Sequence, residues 1–133
     1  MNFFQRRRIL KTVNFLDLTP VRVLDYKVME TGKIDIMLPR FKNRMVSGLF
    51  QPRHKGPVIR IHLDLTGSEI WKMIDGVKQV HQLCDSMRTE KPELMRPPEE
   101  TEKRVTDFLS LLYCERYITF REILPEKEAG DRN

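Results

Sequence analysis

Residues 59–76 read IRIHLDLTGSEIWKMIDG, and within these eighteen positions the apolar period changes from two to about 3.6 before an Asp-Gly pair stops it. Ile59, Ile61 and Leu63 alternate with Arg60 and His62, as in a half-buried strand, while Ile70, Trp71 and Ile74 gather on one side of a helix. The helix-start signals lie between them. Thr66-Gly67-Ser68-Glu69 fits the capping box, in which a hydroxyl serves an amide one turn in and a carboxylate reaches back; Asp64 is a rival cap two residues earlier. Either cap starts the helix near residue 65. Everything before this joint reads as sheet and everything after it as helices.

Upstream, VRVLDYKV over residues 21–28 is rich in β-branched and aromatic residues and reads as a strand. Its alternation changes register near Leu24. A turn containing Gly32 follows, and then Ile34, Ile36 and Leu38 alternate with Asp35 and Met37 as far as Pro39, which makes a hairpin. Residues 40–57 form a basic insertion that contains Arg40, Lys42, Arg44, Arg53 and Lys55, no acidic residue, and the interleaved Phe41, Met45, Leu49 and Phe50. Cations and rings so mixed suit single-stranded nucleic acid or an acidic peptide, and equally a solvated loop with its aromatics tucked under the sheet. The third strand is expected over residues 58–63. Residues 1–19 carry Phe3, Phe4 and three arginines ahead of Thr19-Pro20 and are expected to form an N-terminal arm or short helix.

Downstream, Val80, Leu83, Cys84 and Met87 fall at i, i+3, i+4 and i+7, the stripe of a core-facing helix. Residues 88–98 hold three prolines and read as a loop. Glu99, Glu100 and Glu102 then suit the positive end of a third helix, whose stripe is Val105, Phe108, Leu109 and Leu112. Residues 117–120 could add a short extended piece, and 121–133 are expected to be a flexible tail. The expected fold is α+β and winged-helix-like: a three-stranded antiparallel sheet followed by three helices, over residues 20–120.

Composition narrows the class. At 133 residues, 40% hydrophobic and 32% charged, the chain can bury one core and is too short for two. Residues 1–62 hold 13 of the 24 basic and 4 of the 19 acidic residues, so the front is strongly positive and the back negative. That asymmetry fits an anionic partner, and it fits two halves that attract each other. Both cysteines, Cys84 and Cys114, lie in apolar helical patterns and are expected as buried thiols in a reducing compartment. The run after Arg6-Arg7-Arg8 is broken too early for a signal peptide, and no segment reaches membrane-spanning length, so a cytoplasmic protein is expected.

Little here suggests catalysis. His54, His62 and His81 are scattered; His81 and Cys84 could share a metal, but no CxxC or HxxxH completes a four-ligand set. A nucleophilic thiol needs an activating base and some exposure, whereas Cys84 and Cys114 both occupy apolar stripes, and no glycine-rich phosphate loop is present. Trp71 reads as a core anchor. The expectation is a non-enzyme with no cofactor and no metal.

Leu63-Asp64, Thr66, Ile70-Trp71, Ile74-Asp75-Gly76, then Val80, Leu83 and Cys84, then the stripe from Val105 to Leu112, resemble the PqqD family of pyrroloquinoline quinone synthesis. Relatives of that family are the recognition domains for precursors of ribosomally made, modified peptides. The resemblance implies a winged helix that takes the leader of a precursor peptide as an added strand and presents it to a modifying enzyme, often a radical-SAM protein. It brings no catalytic residue. Carried onto this chain, the docking edge is Val58, Ile59, Arg60, Ile61 and His62, and the groove wall is Arg104, Val105, Phe108, Leu109 and Leu112.

The rival reading is a winged-helix nucleic-acid binder, motivated by the basic front half. It is weakened at the second helix, which carries Asp85 and a single cation, whereas phosphate and base contacts favour Arg, Lys, Asn and Gln. Nucleic acid is therefore the less expected partner, and a membrane is not expected because the basic N-terminal segment is short and its charges are bunched. An open sheet edge can also pair with its twin, so a homodimer is a further possibility.

Overall fold

The alternation around residues 34–38 and 58–63 becomes paired strands. In the computed structural model, which describes residues 2–39 and 58–123, β2 (Asp25–Val28), β3 (Ile34–Pro39) and β4 (Val58–His62) form an antiparallel sheet in the order β2-β3-β4. Three helices follow in sequence: α2 (Leu65–Met73), α3 (Val80–Glu90) and α4 (Thr101–Cys114). The expected α+β class and its order, three-stranded sheet and then three helices, are those found. The described residues also form α1 (Phe3–Leu10), a two-stranded sheet of β1 (Pro20–Arg22) with β5 (Ile118–Phe120), and three short 3-10 turns. The basic stretch 40–57 and the tail from 124 onward lie outside the described residues.

The chain divides into two compact units, one of Leu24–Ser68 and one of Met1–Val23 with Glu69–Asn133. In the first, Tyr26, Ile36 and Ile61 stand in one cross-strand row and Asp35 faces Lys27 and His62 in the next. Side chains of neighbouring rows point to opposite faces. Ile34 and Ile36 are wholly buried on the central strand, which removes about 1.5–3 kcal/mol of apolar exposure apiece. The hairpin turn closes with Met29 N–H donating to Lys33 O at 2.8 Å, and Gly32 takes the φ of 91° that a side chain would resist.

The joint itself decides between the two caps. Asp64, and not Thr66, caps α2: its Oδ1 accepts the Gly67 amide at 2.8 Å. Ser68 has a different task. It is fully buried, and its hydroxyl accepts the Ile34 amide at 2.8 Å, so the first turn of α2 satisfies the first donor of β3. Ser68→Ala leaves that buried N–H without its acceptor and is expected to cost about 1–2 kcal/mol in urea unfolding. A loss near zero would show that another group takes over the amide.

A correction concerns residues 21–28, expected as one strand. They split at Val23-Leu24 into β1 and β2, which belong to different sheets. The split falls at the register change near Leu24, where the apolar parity passes from odd (Val21, Val23) to even (Tyr26, Val28). The short extended piece at 117–120 supplies the partner for the first half. Pro20, Val21 and Arg22 pair with Phe120, Thr119 and Ile118.

In the second unit the helical stripes are core. Val80, Leu83, Cys84 and Met87 are all fully buried, as are Val105 and Leu109. Both thiols are free and buried; burial raises both, Cys84 to about 11, with the Glu102 charge as the second cause for Cys84. The N-terminal segment contains an eight-residue helix, α1, whose cap is reciprocal: Asn2 Oδ1 accepts the Gln5 amide and Gln5 Oε1 accepts the Asn2 amide, each at 2.8 Å. Arg6, in the middle of the basic triplet, is buried with its Nε donating to Tyr113 O at 2.9 Å and its guanidinium 4.1 Å from the Tyr113 ring centre. Beyond β5, Arg121 Nε donates to Gly76 O at 2.5 Å, and the Glu122 carboxylate accepts both the amide and the hydroxyl of Thr19 at 2.7 Å. Asp75 Oδ1 accepts the Lys78 and Val77 amides after α2, and these two bonds hold its carboxyl well below the usual carboxylate range.

Candidate functional site

The strand expected to dock a ligand, β4, stands at an edge. One interstrand bond fixes the direction of its backbone groups: Leu63 N–H donates to Ile34 O at 2.9 Å, so the pair Leu63/Ile34 is a hydrogen-bonded one. Antiparallel ladders alternate. Ile61 and Ile59, opposite Ile36 and Leu38, therefore also turn their backbone groups toward β3, and the N–H and C=O of Val58, Arg60 and His62 point away from the sheet. Among the described residues nothing pairs with that side. The same reasoning gives β2 a second edge. Met29 N–H bonds to Lys33 O, so Tyr26 and Val28 direct their backbone groups outward there.

The two edges differ in chemistry. Along β2 the side chains opposite Asp35 and Met37 are Lys27 and Asp25, one of each sign. Along β4 the corresponding positions are His62 and Arg60, both cationic or capable of it. They meet on Asp35. His62 Nδ1 donates to Asp35 Oδ1 at 2.6 Å, directly across the strands, and Arg60 Nη1 reaches Asp35 Oδ2 diagonally at 3.3 Å. The Asp35 side chain is only 6% exposed, whereas those of Arg60 and His62 are 41% and 73% exposed. The His62 hydrogen bond first, then the His62 and Arg60 charges, holds the Asp35 carboxyl below its ordinary range against the opposing effect of burial. With Nδ1 committed to Asp35, the outer nitrogen of His62 and the outer edge of the Arg60 guanidinium face solvent. On the opposite face of the strand Ile59 is exposed and Ile61 half-buried.

The other half of the expected site belongs to the second unit. Val105, Leu109 and Leu112 are buried there, which answers how the apolar stripe of α4 is spent: those three side chains serve the core. Phe108 is half-buried. Arg104 is tied to the loop before its own helix, donating from Nη1 to Leu94 O at 3.1 Å and Arg96 O at 3.4 Å. The exposed apolar residue of α4 is Leu111, outside the stripe that the sequence singles out. Asp35 is the member of the β4 cluster that sequence reasoning missed. Its position in an alternating strand marks it as an ordinary outward polar residue, and only the cross-strand register brings His62 and Arg60 onto it.

Residues 58–118 match the family model of coenzyme PQQ synthesis protein D, PqqD. The chain carries a PqqD-family segment. It is a little under half of the chain, and it agrees with the family that the sequence resembles. The PqqD match begins at the first residue of β4 and ends at the first residue of β5, so it takes in β4 and the three helices after it and leaves out β2 and β3. No curated protein and no solved structure matches the chain. Over residues 58–118 the chain is thus similar to PqqD. Among the described residues no helix is long and apolar enough to cross a membrane.

Proposed function

We propose that this chain is a non-catalytic adaptor that accepts the leader of a precursor peptide as an added strand along β4 and presents it to a modifying enzyme, of the radical-SAM class or another. The observation that carries the proposal is the outward row of backbone donors and acceptors at Val58, Arg60 and His62, which is what an extended peptide pairs with in strand addition. The PqqD match, which starts at that strand, supports the same reading. A nucleic-acid role draws less support: α3 carries one cation, Arg88, and it is already engaged with Asp85 and Glu102.

Titration of the labelled protein with candidate leader peptides, followed by backbone amide shifts, tests the proposal. The expected result is a set of shifts centred on Val58–His62. Shifts confined to residues away from β4 would reject strand addition there, and self-pairing of the edge would appear instead as concentration-dependent sedimentation without peptide.

A further inference from the structure

We infer that the β4 edge selects peptides carrying an acidic side chain at two positions one residue apart, opposite Arg60 and His62, with an apolar residue between them. The inference rests on the docking mode proposed above and adds a sequence requirement to it. Residues directly opposite each other in paired strands place their side chains on the same face, so an added strand puts alternate side chains beside Arg60 and His62. The residue between them falls on the other face, where Ile59 is exposed and Ile61 half-buried.

The charge at this edge is one-signed where a ligand would meet it. Asp35, the carboxylate nearest to both, sits one strand further in, is 6% exposed and has each oxygen already bonded, Oδ1 to His62 and Oδ2 to Arg60. Arg60 uses one terminal nitrogen on Asp35 and keeps its other donors for a second carboxylate; a guanidinium offers five. With Nδ1 bonded to Asp35, the largely exposed His62 ring leaves Nε2 for an incoming carboxylate. Asp35 thus orients the two readers and is itself shielded from the ligand. The β2 edge, with Lys27 and Asp25 in the equivalent places, would favour neither sign.

Three ten-residue peptides with a common Ser, Thr and Val background and a central Glu-Leu-Glu, Gln-Leu-Gln or Lys-Leu-Lys test this with the full chain. Affinity is read by fluorescence anisotropy at low salt and at high salt, and the bound site by amide shifts. The expected order is Glu tightest and Lys weakest, about fivefold apart at each step, with the spread shrinking in high salt. The double variant R60Q/H62Q is expected to bind all three alike. Because the exchange on the peptide leaves the protein untouched, the order of the three peptides decides the matter even where that variant folds poorly. Equal affinities with shifts at β4 would overturn the charge requirement and leave strand addition standing. No shift at β4 with any of the three would overturn both.

Discussion

Trp71→Ala is expected to remove about 3–5 kcal/mol of folding stability, the range found when a large buried aromatic is truncated and its cavity stays partly open. Trp71 is wholly inaccessible and lies in the last turns of α2 between two other buried residues of the same face, Ile70 and Ile74. Its ring is also 6.0 Å from the Arg22 guanidinium, and Arg22 Nη1 approaches the Trp71 carbonyl at 3.5 Å. Arg22 belongs to β1, so the truncation loosens the packing of the β1/β5 ribbon against the helix as well as leaving a void. Since domains of this size hold about 5–15 kcal/mol in all, the variant should unfold at markedly lower temperature or urea concentration. The chain has a single tryptophan, so the comparison needs far-ultraviolet circular dichroism rather than intrinsic fluorescence. A loss under about 1 kcal/mol would mean that the indole is not the anchor its burial implies.

What could be read in advance was whatever depends on periodicity along one segment. The change of period at residues 59–76 located β4 and α2, and the stripes at Val80–Met87 and Val105–Leu112 located two helices and their buried faces, because burial of an amphipathic helix follows from spacing alone. What could not be read depends on which segments meet. Val21–Val28 looked continuous because nothing local says that Pro20–Arg22 will pair with residues nearly a hundred positions later. Ser68 looked like part of a cap because its acceptor role on Ile34 requires the strand to be in place. Arg6 could not be told apart from Arg7 and Arg8 because a cation stacked on Tyr113 has no signature in the triplet around it. The candidate site divides along the same line. The edge strand and its alternation were legible, while Asp35, held between Arg60 and His62, emerges only from the β3/β4 register.

That register also separates docking from folding in a way that one pair of substitutions can expose. Arg60 turns its N–H away from the sheet, so Arg60→Pro removes no bond of the β3/β4 ladder; proline is tolerated on edge strands at such positions. It does remove an outward donor and places a ring on the edge, so peptide affinity is expected to fall about tenfold while the unfolding midpoint stays close to that of Arg60→Gln. Arg60→Gln is the proper reference because it too lacks the contact with Asp35. Ile61→Pro is the opposite case. Its N–H faces Ile36, so proline there leaves the carbonyl of a wholly buried residue without its donor, at about 1–3 kcal/mol, and lowers stability as well as binding. Peptide affinity and unfolding are both measurable on the same preparations. Should Arg60→Pro bind a leader peptide as tightly as Arg60→Gln, the outward edge of β4 takes no part in docking, however well the strand is formed. Should Arg60→Pro instead unfold as readily as Ile61→Pro, the ladder runs in the other phase, and the donors offered to a peptide belong to Ile59 and Ile61.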